Sequence, residues 1–251
     1  MYHIFDSLES TNKYCELLDL DEVEEFAVVC AREQTAGIGQ RGNHWESEPG
    51  LNLTFSIVLH PRFLAAAKQF GLTQALSLGV CDWLRLHLAT IAAEPLIKWP
   101  NDIYVDGRKI CGMLTSVHLS GDRVASAVCG IGLNINQTRF PDWIPNPVSL
   151  VMLTGHSLPL REALEGLTDC IQRRYEQLRT DATTIDACYH GLLYRRGLPT
   201  LFLHHGRTLR ATIEGVNAYG HLQLLSDDGT HLSCQLKELL FLPHTQQPTM
   251  E

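Results

Sequence analysis

The residues best equipped for chemistry fall in two stretches. The first, Gln34-Thr35-Ala36-Gly37-Ile38-Gly39-Gln40-Arg41-Gly42-Asn43-His44-Trp45, places three glycines within six positions. Glycine admits positive φ and lets backbone N–H groups come close to a ligand. A concave run of such groups attracts an anion, a phosphate or a carboxylate. Arg41 adds a rigid fork of donors suited to phosphate, and Trp45 adds a flat apolar wall. Taken alone, the stretch is equally a long Gly-rich hairpin. The second is Leu96-Ile97-Lys98-Trp99-Pro100-Asn101-Asp102. Here an apolar strand carries Lys98 at its end and stops at Pro100, which cannot donate to a ladder. A lysine at the tail of a buried strand needs an anionic partner to offset its desolvation; at an exposed strand end it needs none.

These residues need elements to hold them. Tyr2 to Phe5 predicts a short strand. Ser10-Thr11-Asn12 then offers N-cap side chains to a helix with Tyr14, Leu17 and Leu18 on one face. Capping alone explains those three residues; the other reading is that their spare hydroxyl and amide groups face a ligand at the helix N-terminus. Phe26 to Ala31 reads as a buried strand. Leu51 to Leu59 alternates as a half-buried one, with Asn52, Thr54 and Ser56 on a face that either lines a wet site or is simply solvated. Phe63 to Ala92 has the helical period of a core helix. Asp102 to Ile110 predicts a hairpin around Asp106-Gly107, a pair suited to a type I′ turn.

The return strand of that hairpin carries Gly112, where a backbone or ligand can approach closely. A second hairpin turns near Ser120-Gly121-Asp122. Its outgoing strand ends in Gly130-Ile131-Gly132-Leu133-Asn134-Ile135-Asn136, which leaves amide edges at a crowded spot. The short connections predict antiparallel pairing. Phe140 and Trp143 sit in a Pro-rich loop, placed either as a lid over a flat ligand or folded onto the surface. Leu160 to Arg179 and Thr184 to Tyr194 read as helices. Composition shifts at Gly197 to short β-like runs between turn signals, a small five-stranded barrel of about 45–50 residues. The expected organisation is a domain over residues 1–195, a small β-barrel over 196–245, and a frayed tail over 246–251.

The bulk numbers bound the function. At 251 residues the chain can bury a full core. A formal net charge of −8 argues against a nucleic-acid platform, which needs a basic field. None of the eight cysteines forms C-x-x-C and most lie in apolar runs, which predicts buried free thiols in a reducing, cytoplasmic compartment. No H-E-x-x-H occurs among the twelve histidines, and no protein-built metal site is expected. The N-terminus has no secretory pattern, and no segment has the roughly 20 apolar residues of a membrane span.

Taken together, Ser10-Thr11-Asn12, the Gln34 to Trp45 loop, Lys98-Trp99-Pro100-Asn101-Asp102, Lys109-Ile110-Cys111-Gly112-Met113-Leu114 and Gly130-Ile131-Gly132-Leu133-Asn134 resemble the biotin–protein ligases. The resemblance covers nearly the whole chain in order, the C-terminal barrel included. It implies an α+β fold: a mixed, mainly antiparallel sheet packed by helices, like that of class II aminoacyl-tRNA synthetases and biotin ligases, with a small C-terminal SH3-like β-barrel. Nothing before Met1 matches a winged helix, so a short monofunctional ligase is expected, without a repressor role.

That family activates biotin with ATP and Mg²⁺ to biotinyl-5′-AMP. It then passes biotin to one lysine of a biotin carboxyl carrier protein, or carrier domain of a biotin-dependent carboxylase. The resemblance implies that Lys98 sits between the carboxylate and the α-phosphate as the electrostatic catalyst. Arg41 acts beside it, with Ile38, Gly39, Gln40 and Gly42 at the adenylate. Ser10, Thr11, Asn12 and Gln34 hold biotin, with Gly37, Ile38, Gly39, Gln40, Lys98 and Gly112 around it, since a ureido ring requires matched donors and acceptors. Asn134 reads the adenine edge, Trp45 packs under the loop, and Asn101 lies at the nucleotide. Mg²⁺ rides on the ATP phosphates, with Asp102 as a support. Monomer and homodimer both stay open.

The loop departs from the family pattern. Many members read G-R-G-R-x-G-R, and this chain has Ile38, Gln40 and Asn43 where arginine is frequent. Fewer charge-assisted bonds predict an active enzyme with a leakier adenylate. Two other readings stand beside the ligase. One is a lipoate or octanoate transferase on a similar sheet; the other is a module that binds biotin without activating it.

Overall fold

The structure, a computed structural model, describes residues 1–242; the Arg41 side chain and residues 243–251, which include the expected tail, lie outside the described part. In the larger sheet, β1 (Tyr2–Leu8) leads through the short helix α1 (Thr11–Glu16) to β2 (Ala27–Gln34) and β3 (Leu53–Leu59). Helix α2 (Phe70–Leu88) follows, then β4 (Leu96–Lys98), β5 (Asp102–Val105), β6 (Arg108–Ser120) and β7 (Arg123–Leu133). The strand order is β1-β2-β3-β7-β6-β5-β4. Only β1 and β2 pair in parallel; every other ladder is antiparallel, as the short hairpins predict. Asp106 (φ 51°) and Gly107 (φ 71°) both take the left-handed region that a type I′ turn requires.

Three further helices, α3 (Leu150–Thr154), α4 (Leu160–Thr180) and α5 (Ala182–Gly191), lead to the second sheet. Its strands are β8 (Pro199–His204), β9 (Arg207–Val216), β10 (Leu222–Ser226), β11 (His231–Cys234) and β12 (Leu239–Phe241). They pair in the order β11-β10-β9-β8-β12, all antiparallel. Among the described residues no ladder joins the two end strands.

The larger sheet buries both faces differently. Leu53, Phe55, Ile57 and Leu59 point into the main core with α2 and α4. The opposite face carries a small apolar cluster of Cys15, Val29, Val58 and Val128 beneath α1. Strand β3 is therefore buried throughout and not half-exposed, because α1 covers its polar face. That helix is shorter than its apolar residues suggest. It ends at Glu16, Leu17 is 87% exposed, and the buried side chains are Thr11, Asn12 and Cys15. All eight cysteines are free thiols, and only Cys188 is other than buried. No helix among the described residues is long and apolar enough to cross a membrane.

Candidate active site

Two rows of paired residues run under the site, and of these Asp102, Gly112, Gly132, Leu114 and Gly130 line its inner cavity. Asp102, Gly112, Gly132 and Thr54 lie side by side across β5, β6, β7 and β3; Leu114, Gly130 and Ser56 form the next row. The glycines make room for neighbours. A Cβ on Gly130 would fall 2.1 Å from Asn12 Oδ1, and one on Gly132 would fall 2.2 Å from Cε2 of the Trp45 ring. Real Cβ atoms do not approach so closely, so side chains from α1 and from the loop lie on the sheet only because these positions have none.

One wall is the start of α1. Ser10 is its N-cap, accepting from the Lys13 N–H at 3.5 Å. The Thr11 N–H and hydroxyl donate to Gln34 Oε1 at 2.7 and 3.1 Å. The Ser56 hydroxyl donates to Asn12 Oδ1 at 2.5 Å, and Asn12 Nδ2 donates to the Leu114 carbonyl at 3.2 Å. Ser10 caps the helix as its chemistry predicts, and all three residues line a cavity of about 180 Å³. The loop is the roof. Ile38 bridges to His44, and a 3₁₀ turn spans Gln40–Gly42. Of the three loop glycines only Gly42 has positive φ, at 78°. Gly37 is needed for space, since a Cβ there would fall 2.5 Å from the Trp45 carbonyl oxygen. The Gly39 N–H donates to the Asn43 carbonyl at 2.7 Å. The structure places the Arg41 backbone in the turn; its side chain is not among the described atoms.

Beyond the loop lies a larger cavity of about 690 Å³, bordered by Lys98, Asn101, Asn134, Phe140, Trp143 and Phe241. Gln40, Asn43, His44, Trp45, Asp102 and Lys109 line both cavities. Asn101 is buried and donates to the Met113 carbonyl. Asn134 Nδ2 donates to the Val148 carbonyl at 3.0 Å, and its buried Oδ1 has no partner among the described residues. The buried Trp45 Nε1 donor is likewise unmatched. A buried amide oxygen and indole N–H without partners are costly unless something fills their valence; Asn134 lines the outer cavity and Trp45 lines both.

Lys98 reaches the outer cavity and not the inner one. Its Nζ donates to the Tyr104 hydroxyl at 3.0 Å. Burial pushes this ammonium below the ordinary lysine range; Asp102 opposes the shift and Lys109 adds to it. Burial also holds the Tyr104 phenol above its usual range, so it stays neutral. The lysine at the junction is Lys109, to which the sequence reading gave no role. It pairs with Asp102 at 2.8 Å, and its Nζ lies 3.1 Å from where a Gly112 Cβ would be. On a regular strand, residues three apart face opposite sides. Here the register slips between Ile103 and Tyr104, with partners stepping from Cys111 to Lys109. The extra residue, Ile110, turns Lys109 to the face of Gly112. Among the described residues no group of three or more His, Cys, Asp or Glu side chains is arranged to hold a metal ion. Mg²⁺ brought on a nucleotide fits better, since it needs only one or two carboxylates besides phosphate, and Asp102 and Glu46 border the outer cavity.

The smaller cavity thus shares part of its lining with a larger one, with Lys109 and Asp102 among the shared residues. The chain belongs to the biotin/lipoate A/B protein ligase family, whose model matches residues 4–134. It is 31% identical over 236 residues to the bifunctional ligase/repressor BirA of Bacillus subtilis, covering 92% of this chain and 68% of that one. With the biotin–[acetyl-CoA-carboxylase] ligase of Paracoccus denitrificans it shares 38% identity over 161 residues, 61% of this chain and 65% of the other. Its fold matches that of the biotin protein ligase from Aquifex aeolicus in complex with biotin and ATP, at a TM-score of 0.78 and 22% identity, over 95% and 97% of the two chains.

Proposed function

We infer that the chain is a biotin–protein ligase, an ATP-dependent enzyme that forms biotinyl-5′-AMP and transfers biotin to a lysine of a biotin carboxyl carrier domain. The observation that carries this reading is the meeting of the two cavities at Lys109. In the first step a biotin carboxylate oxygen bonds to the α-phosphorus as the bond to pyrophosphate breaks. Two anions must approach, and a fixed ammonium between them lowers the repulsion where charge develops. Lys109 has that place. Lys98, in the outer cavity, is assigned to the nucleotide phosphates, with Arg41 and the loop backbone beside it.

Ser10, Thr11, Asn12 and Gln34 take the ureido ring, where a carbonyl and two N–H groups need partners in a dry cavity. The unmatched Asn134 Oδ1 supports a role at an adenine amino group. In the second step the acceptor amine bonds to the biotinyl carbonyl carbon, AMP leaves, and the amine loses a proton. Positioning next to a mixed anhydride supplies much of that rate. The carrier is the protein partner, and the eight free thiols suit a reducing cytoplasm.

The test is transfer of labelled biotin to a carrier domain with ATP, beside pyrophosphate exchange driven by biotin or by lipoate. Biotin-dependent exchange and transfer are expected. Exchange with lipoate alone would overturn the reading in favour of a lipoate enzyme. Tight biotin binding with no pyrophosphate released would make the chain a binding module.

A further inference from the structure

We infer that Phe241, carried by the second sheet, is a positioning residue for nucleotide activation: with Tyr104 it clamps the Lys98 ammonium at the outer cavity. The inference rests on the ligase reading and concerns its first half-reaction. Lys98 Nζ lies 4.7 Å from the centroid of the Tyr104 ring and 5.1 Å from that of Phe241. Both distances are within the roughly 6 Å over which a cation is attracted to a ring face. The Tyr104 hydroxyl accepts one of the three ammonium protons. Two rings and one hydroxyl thus restrict a flexible side chain to a single direction.

The rings come from different sheets and each is seated by another ring. Tyr104, on β5, packs at a tilt against Tyr194, with ring centroids 5.5 Å apart. Phe241, on β12, packs edge-on against the fully buried Phe202 at 5.0 Å, its ladder partner on β8. Phe241 borders the outer cavity only, as does Lys98. A defect in the clamp should therefore reach the nucleotide and leave biotin binding alone. The charged and titratable groups facing Lys98 are Asp102, Lys109 and Tyr104, with Tyr194 behind the last. Of the two charged groups only Asp102 favours the charged lysine, so ring faces that attract a cation help keep the ammonium protonated in a buried place.

The experiment compares Phe241→Leu, Phe241→Met and Phe241→Tyr, each alone and with Lys98→Met, as full-length chains. The readouts are the KM for ATP in pyrophosphate exchange, ATP and biotin affinities by calorimetry, and the alkaline limb of the rate profile. Phe241→Leu and Phe241→Met should raise the KM for ATP about tenfold, with biotin affinity unchanged. Their alkaline limb should move to lower pH, because a contact favouring the charged lysine is gone. Phe241→Tyr, which keeps a ring face, should stay near wild type. With Lys98→Met in place, Phe241→Leu should add nothing, since a residue acting through another shows no effect once that partner is removed. Equal losses in both backgrounds would overturn the clamp, as would ring-less variants that match wild type. A wild-type chain that exchanges no pyrophosphate with biotin would sink the ligase reading instead; the ATP affinities of the same variants would still decide the clamp.

Discussion

Lys109 Nζ lies 2.8 Å from an Asp102 carboxylate oxygen and 5.7 Å from the centroid of the Trp45 ring, where the two cavities join. An ammonium so held needs little reorganisation when negative charge develops beside it, and this kind of preorganisation contributes strongly to rate. Lys109→Met should lower kcat for pyrophosphate exchange by about 10²–10³, with a smaller change in biotin affinity. A variant within tenfold of wild type would place the electrostatic work elsewhere. Lys98 adds a pH dependence. Its folded pKa is lowered by burial, so the unfolded chain holds a proton that the folded chain has released. Stability from this group therefore rises with pH between the lowered folded value and the unfolded value of about 10.4. Thermal midpoints of wild type should gain on those of Lys98→Met over that window. At this scale much was legible in the sequence. Ser10, Thr11, Asn12 and Gln34 gather in one cavity as the family resemblance implies, whereas Lys109 was hidden by a bulge that no alternation pattern announces.

Helix α1 has six residues, too few to be stable alone, since isolated helices need about 12–15. It is held by the Ser10 cap, by Gln34 from β2 and by Ser56 from β3. Its apolar pattern pointed to Tyr14, Leu17 and Leu18, but polar contacts decided which face is buried. Those contacts depend on Gly130. Gly130→Ala would press a methyl group onto Asn12 and push α1 off the sheet, an overpacking that costs about 1–3 kcal/mol. A loss of biotin affinity beyond tenfold by calorimetry is the expected result, with the cooperative melt retained; unchanged affinity would show that Asn12 does not contact the ligand. The loop is the second element. Ile38 lines the inner cavity and supplies no charge. Ile38→Arg should slow biotinyl-adenylate dissociation, because charge-assisted bonds to phosphate are roughly twice as strong as neutral ones. A dissociation rate equal to wild type would mean that the backbone and Gln40 already suffice.

Across the whole molecule, the change in composition at Gly197 marks the second sheet, and its short β-like runs between turn residues suggest the five strands found there. What it does could not be read there, because its contacts with the site join residues far apart in sequence. Trp99 Nε1 donates to the Gly220 carbonyl at 2.9 Å, across 121 positions. Leu236, Leu239, Leu240 and Phe241 line the outer cavity together with Asn134 and residues of the Phe140 to Pro147 loop. The second sheet is therefore a wall of the outer cavity, and with ATP in that cavity, as proposed above, its docking should affect ATP more than biotin. Trp99→Phe tests this, with some loss of core packing because Trp99 is buried. It keeps an aromatic ring and removes the donor, leaving the Gly220 carbonyl to find water. The loss should be about 1 kcal/mol, seen as faster amide hydrogen exchange around residues 217–221 and a KM for ATP raised several-fold. Biotin affinity should not move, since neither Trp99 nor Gly220 borders the inner cavity. If the exchange rates rise while ATP binding stays constant, the second sheet is a neighbour of the nucleotide compartment and not one of its walls.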